Sequence, residues 1–162
     1  IGETYMDNFE ITADIAELIH RGGVFYDVEG NTPQEIYENF SKMINLPEGM
    51  TSEQIASALC AREAVLSTAV GNGIALPHAR APIMKEESAQ RICVLYLKKP
   101  IPMSAPDERD VHVMFVLLTH NSQIHLKVLS VLAGLFRSAR FRKALENKAA
   151  EAELAALIRE LA

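Results

Sequence analysis

The sequence has few cysteines, no tryptophan and no long apolar run. Two cysteines, Cys60 and Cys93, stand among 162 residues. They are too few for a disulfide framework in a chain of this length, and neither has the CxxC spacing of a zinc or redox motif. Each lies in an apolar run, which predicts that its side chain is buried as a small apolar group. The lack of a disulfide framework indicates a protein of a reducing compartment.

The sequence also lacks an excess of positive charge and any membrane-spanning segment. A formal net charge of −5 argues against a nucleic-acid-binding surface, which is normally basic. One basic cluster has the composition of a solvated helix face; it comprises Arg137, Arg140, Arg142 and Lys143. No run of about eighteen apolar residues and no signal peptide are recognisable, so we expect a cytoplasmic protein with no direct membrane insertion.

Length and composition fit one domain over residues 1–162. An apolar fraction of 49% is enough for a substantial core. The chain begins with Ile1 rather than Met, so residues 1–5 are interpreted as a tag or linker, or the domain as part of a longer protein. The sequence leaves both interpretations open.

Apolar periodicity predicts alternating helices and buried strands. The predicted helices cover residues 12–20, 33–43, 52–65, 122–136, 138–146 and 149–161; the predicted strands cover 24–28, 74–76, 92–97 and 111–118. Thr32, Pro33 and Glu35 predict a helix start with a capping box, and residues 51–54 (TSEQ) predict a second helix start. Residues 71–73 predict a tight turn, and residues 98–110 a polar loop or hairpin. The fold class is therefore α/β, with a sheet covered on both faces.

Among the five histidines, two lie where chemistry is favoured. His78 follows a glycine turn, a short apolar strand and Pro77, so its backbone is held rigidly, as a nucleophile requires. The alternative is a loop histidine packed on a neighbour. His125 lies in the first turn of a helix, where free N–H groups favour an anion. The alternative is a structural role, in which His125 bonds to a backbone group at the helix start. We assign structural or surface roles to the others: His20, His112 and His120.

Donors for a phosphoryl group precede the glycine turn in the chain: they are the side chains of Arg62, Ser67 and Thr68. The planar guanidinium of Arg62 can bind two phosphate oxygens, although a cation near a helix end also complements the helix dipole. Ser67 and Thr68 add hydroxyls, or simply end the helix. A metal site built on His78, His120 and His125 is a rival hypothesis, but no cysteine or acidic motif completes it.

Several of these residues together resemble a known signature. Arg62-Glu63, Ser67-Thr68 and residues 71–80 (GNGIALPHAR) resemble enzyme IIA domains of the bacterial phosphoenolpyruvate phosphotransferase system, of the fructose/mannitol type (type 2) that includes the nitrogen-regulatory proteins. Residues 125–133, with a histidine opening an apolar helix, resemble the second histidine segment of that family. The resemblance spans nearly the whole chain.

This resemblance implies a fold and a set of roles. The fold is a three-layer α/β/α sandwich with a mixed central sheet. His78 is the phosphoacceptor, and Arg62 and His125 are the other catalytic residues. Ser67 and Thr68 are expected to bind phosphate. The reaction is a phosphohistidine relay, a phosphotransferase activity that needs no metal and no cofactor.

The resemblance also implies partners. The donor is a phosphocarrier protein of the HPr type, and the next partner is a IIB domain or a regulatory target protein. Residues 102–107 (PMSAPD) favour the nitrogen-regulatory branch. The alternatives are a sugar-transport IIA component for fructose or mannitol and a non-catalytic regulatory domain of a membrane transporter. We expect apolar side chains around His78, because two histidines exchange a phosphoryl group in a dry interface.

Overall fold

The computed structural model describes residues 15–161, which form a sheet covered by helices. The helices of this part of the chain are α1 (15–22), α2 (Pro33–Ser41), α3 (Ser52–Glu63), α4 (Ser122–Phe136), α5 (Ala139–Glu146) and α6 (Glu151–Leu161). The strands are β1 (Val24–Val28), β2 (Ala69–Gly71), β3 (Ile74–Ala75), β4 (Arg91–Ile101) and β5 (Val111–Leu118). Residues 1–5, interpreted as a tag or linker, and the first part of the helix predicted over 12–20 lie outside the described residues.

The five strands form one mixed sheet in the order β1-β4-β5-β3-β2. The two long central strands, β4 and β5, are antiparallel, with Val94 opposite Phe115. β1 runs parallel to β4, β3 runs parallel to β5, and β2 is antiparallel to β3. β5 and residues 92–97 of β4 are almost continuously apolar, as strands buried on both faces are.

Each face of the sheet has its own core. Along β5, Val113, Phe115 and Leu117 point to one face, where they pack with α1, α4, α5 and α6. The alternate residues of β5 pack on the other face with α2 and α3, because successive side chains of a strand point to opposite faces. The two cores confirm the predicted α/β/α sandwich.

The helix starts are capped as their sequences predict, with one difference. The Thr32 hydroxyl accepts a hydrogen bond from the Glu35 N–H at 3.2 Å, but the Glu35 carboxylate accepts from the N–H of Asn31 rather than from that of Thr32. At the start of α3, Thr51 and Gln54 form a complete capping box. Both helices end about two residues before their predicted ends.

The structure departs from the predictions at three further places. Residues 69–71 form β2, a strand too short to show periodicity. β4 continues to Ile101, beyond its predicted end at residue 97, so that the segment predicted to be a loop or hairpin is a hairpin in which Ile101 pairs with Val111. Cys93 is fully buried as predicted, whereas Cys60 is only partly buried, because its helix lies on the surface of the sandwich. No helix among residues 15–161 is long and apolar enough to cross a membrane.

Candidate functional site

A tight hairpin and the strand after it position His78. The turn between β2 and β3 has three consecutive positive φ angles: Gly71 at 98°, Asn72 at 55° and Gly73 at 77°. After β3, the Pro77 carbonyl accepts a hydrogen bond from the Leu117 N–H at 2.9 Å, and His78 continues alongside β5. The backbone of His78 is therefore fixed by the sheet, as its position after Pro77 predicted.

The ring of His78 has a defined tautomer. Its Nδ1 lies 2.7 Å from the Leu76 carbonyl oxygen. A carbonyl oxygen only accepts, so Nδ1 carries the proton and Nε2 has the lone pair. Burial lowers the pKa of His78, and the nearby positive charge of Arg62 lowers it further, against the opposing effects of the Leu76 carbonyl and of Glu63. The ring is therefore neutral at neutral pH, with a free lone pair on Nε2.

His125 lies beside His78, in the first turn of α4. The ring centroids are 4.9 Å apart, and the rings are inclined by 57°. The Asn121 side chain caps this helix by accepting from the Ile124 N–H at 2.9 Å. Burial, and then the proximity of His78, lower the pKa of His125. Two half-buried neutral imidazoles thus face each other.

Arg62 reaches the site from the last turn of α3. Its Nη1 donates to the Leu66 carbonyl oxygen at 2.5 Å, and its charge acts on His78. A guanidinium has five N–H donors, so this bond leaves others free. Arg62 lies on one helical layer, His78 on the sheet and His125 on the other helical layer. Together they bring two imidazoles and a guanidinium to one site.

The predicted phosphate-binding hydroxyls both donate within the protein. Ser67 Oγ donates to the Met103 carbonyl oxygen, and Thr68 Oγ1 donates to Glu63 Oε1 at 2.7 Å. Glu63 also accepts from the Thr68 N–H at 2.7 Å. These bonds fix the segment that leads into β2. Phosphate binding by Ser67 and Thr68 stays a prediction.

Two residues of the site region carried no signal strong enough for a role to be predicted. Glu63 was visible only as the neighbour of Arg62, and its carboxylate also accepts from the Tyr37 hydroxyl at 2.5 Å. Thr119, at the end of β5, places Oγ1 3.1 Å from Nδ1 of His125. A threonine after a buried strand has no local pattern that marks such a contact.

The other three histidines have partners away from this pair. His20 pairs with Glu151, with Nδ1 2.8 Å from Oε2. Nδ1 of His120 lies 3.0 Å from the Met84 carbonyl oxygen. His112 packs beneath Gly73. Within residues 15–161, no group of three or more histidine, cysteine, aspartate or glutamate side chains is arranged to hold a metal ion.

Exposed apolar side chains accompany the site. They lie on the segments that carry it: Val65, Leu66, Val70 and Leu126. Leu66 is 69% exposed and Leu126, directly after His125, is 66% exposed. Exposed large apolar side chains next to site residues are typical of a protein-binding surface.

Comparison with known proteins identifies a family. Residues 17–161 match the family described as "Phosphoenolpyruvate-dependent sugar phosphotransferase system, EIIA 2". A nitrogen regulatory protein of Pseudomonas aeruginosa is 29% identical over 82% of this chain and 86% of its own length. A nitrogen regulatory protein of Klebsiella oxytoca is 26% identical over 96% of each chain.

Solved structures agree with these relatives. The nitrogen regulatory protein IIA-Ntr from Neisseria meningitidis has a TM-score of 0.76 and 27% identity, over 89% of this chain and 98% of its own. IIA mannitol from Escherichia coli shares the fold, with a TM-score of 0.63 at 14% identity over 85% of this chain and 96% of its own. The resemblance stated from the sequence is thereby confirmed.

Proposed function

This chain belongs to the EIIA 2 family of the phosphoenolpyruvate-dependent sugar phosphotransferase system and is a phosphocarrier, and we propose that it accepts the phosphoryl group on Nε2 of His78. The observation that carries this proposal is the 2.7 Å contact between Nδ1 and the Leu76 carbonyl oxygen. It places the proton on Nδ1 and leaves the Nε2 lone pair for attack on phosphorus. The same bond orients the ring and makes it more basic.

The transfer is a reversible exchange between two histidines. The bond between phosphorus and the donor imidazole breaks as the bond to Nε2 of His78 forms, and the donor ring keeps the electron pair of the broken bond. Such a reaction needs in-line positioning and compensation of the phosphoryl charge more than covalent help from the protein. The rigid backbone of His78 supplies the positioning.

Arg62 and His125 supply donors for the phosphoryl oxygens. The guanidinium of Arg62 stabilises the charge that spreads over these oxygens in the transition state. His125 donates an N–H, beside the first turn of α4, whose free N–H groups favour an anion. With both imidazoles neutral before transfer, the anionic phosphoryl group meets a site in which Arg62 supplies the positive charge.

The proposed donor is an HPr-type phosphohistidine carrier. The exposed apolar side chains beside the site, among them Leu66 and Leu126, support this proposal, because they exclude water where the two histidines meet. We place the reaction in the cytoplasm and propose a regulatory role of the nitrogen type, on the basis of the nitrogen regulatory relatives. The phosphorylated and free forms would then act on a regulatory target protein.

Phosphorylation in a reconstituted mixture tests the acceptor. Phosphoenolpyruvate, enzyme I and either an HPr or a nitrogen-type carrier are incubated with wild type, His78→Ala or His20→Ala, and intact mass is measured. We expect one acid-labile phosphate on wild type and on His20→Ala, and none on His78→Ala. Phosphate on His78→Ala would remove His78 as the acceptor, and no phosphate on any protein with both carriers would overturn the phosphocarrier function.

A further inference from the structure

The hydroxyl of Thr119 faces the inner nitrogen of His125. Oγ1 lies 3.1 Å from Nδ1, and Thr119 is only 2% exposed. Within residues 15–161, the hydroxyl has no other hydrogen-bond partner. The contact therefore has to satisfy both a buried hydroxyl and one ring nitrogen.

Only one arrangement of protons satisfies both groups. If the hydroxyl donates, Nδ1 accepts and the ring proton is on Nε2. If Nδ1–H donated instead, the hydroxyl hydrogen would be buried without an acceptor, which is costly. A doubly protonated ring would leave the same unpaired hydrogen, so the contact favours the neutral form as well.

We propose that Thr119 is a positioning residue for His125: its buried hydroxyl donates to Nδ1 and so places the single ring proton on Nε2, as the donor that meets the phosphoryl group. This inference rests on the proposed function of His78. The two rings then have complementary tautomers, since His78 presents the Nε2 lone pair and His125 presents an Nε2–H.

The backbone around Thr119 is held in a way that fits this role. Its carbonyl oxygen accepts from the Met84 N–H at 3.0 Å, and the next N–H, of His120, donates to Gln90 Oε1 at 2.9 Å. Thr119 is also β-branched, with restricted rotation about χ1. The segment that follows His78 in the chain thus fixes the residue that orients His125.

The ring tautomer gives a direct test that needs no phosphoryl transfer. Thr119→Val keeps the shape and removes the donor, and Thr119→Ser keeps the donor. Long-range 1H–15N spectra of the unphosphorylated proteins at pH 8 are expected to show the Nε2–H tautomer for His125 in wild type and Thr119→Ser, and a shift toward Nδ1–H in Thr119→Val. An Nδ1–H tautomer in wild type, or identical tautomers in all three proteins, would overturn the proposal.

The rate of transfer from the phosphorylated carrier completes the test. We expect it to fall about tenfold in Thr119→Val, as for the loss of one well-placed hydrogen bond, and to stay near the wild-type rate in Thr119→Ser. A changed tautomer with an unchanged rate would overturn the positioning role. Should Thr119→Val fail to fold in thermal unfolding, the wild-type and Thr119→Ser spectra still decide the assignment. No phosphate on wild type would instead overturn the proposed function and leave the tautomer assignment to the spectra.

Discussion

The imidazole of His78 and the guanidinium of Arg62 have neutral backbone partners, whereas His20 and Arg140, outside the site, have carboxylate partners. Nδ1 of His78 bonds a backbone carbonyl, and Arg62 donates to another. Outside the site, His20 pairs with Glu151, and Arg140 pairs with Glu160 at 2.5 Å. A phosphoryl dianion would be repelled by a carboxylate, so the site keeps its donors free of such partners. The carboxylate of Glu63, whose charge acts on His78, is occupied by donors from Tyr37 and Thr68.

The largest effect in this comparison is expected from removing Arg62, which bonds a carbonyl, beside removing Arg140, which pairs with a carboxylate. Arg62→Ala should slow transfer to His78 about a hundredfold, the usual cost of losing a preorganised donor to transition-state charge. Arg140→Ala, which loses only an exposed ion pair, should transfer at the wild-type rate. Rapid-quench single-turnover measurements with phosphorylated carrier compare the two. Equal rates in both variants would remove Arg62 from the mechanism.

A second test concerns the hairpin that leads to the site, where His112 has a packing role instead of an ion pair. Gly73 has φ of 77°, and an added Cβ would overlap the His112 ring, so Gly73→Ala should cost about 2–3 kcal/mol of unfolding free energy. Gly49 has φ of 88° with open space around it, so Gly49→Ala should cost about 1 kcal/mol. Urea unfolding separates the two. Equal losses would show that overlap with His112 adds nothing to the backbone strain.

A third test compares protonation of the histidines. Burial lowers the pKa of His78 and His125, while the hydrogen bond to Glu151 raises that of His20. At pH 6.5, the first two should be mostly neutral and His20 mostly protonated. An NMR titration of the ring protons reports each midpoint. The transfer rate should decline in acid as His78 becomes protonated, and the midpoint of this decline should lie below pH 6.5. A midpoint of His78 above that of His20 would contradict the comparison.

The smallest expected effect is on His20 alone. Glu151→Gln removes the carboxylate that raises its pKa, so the midpoint of His20 should move down toward the ordinary value near 6.5. The midpoints of His78 and His125 and the transfer rate should not change. A slower transfer in this variant would connect the His20–Glu151 pair to the site.

Local pattern predicted the elements better than it predicted their contacts. The long apolar runs of β4 and β5 and the capped starts of α2 and α3 depend on nearby residues, so the sequence alone predicted them. β2 was missed because its three residues become a strand only by pairing with β3. The end of β4 was missed because Ile101 pairs with Val111 across the polar loop.

The features of the site likewise divide into those expected from the sequence and those seen only in the structure. The rigid backbone of His78 was predicted from Pro77, and the grouping of Arg62, His78 and His125 was implied by the family resemblance. The structure places the two imidazoles together and lets Arg62 act on His78. The contact of Thr119 with His125 and the ties of Glu63 to Tyr37 and Thr68 join residues by packing, and packing leaves no periodic trace in a sequence.

The placement of Arg62 and His125 on opposite sides of the sheet has a consequence for the folding of the protein. Neither helical layer alone contains the site, and the hairpin must close on β5 before His78 is in place. Contacts between distant parts of a chain form slowly, because loop closure has to precede them. Competence for transfer should therefore be gained only once both helical layers have docked on the sheet, so transfer activity reports the assembly of the whole sandwich.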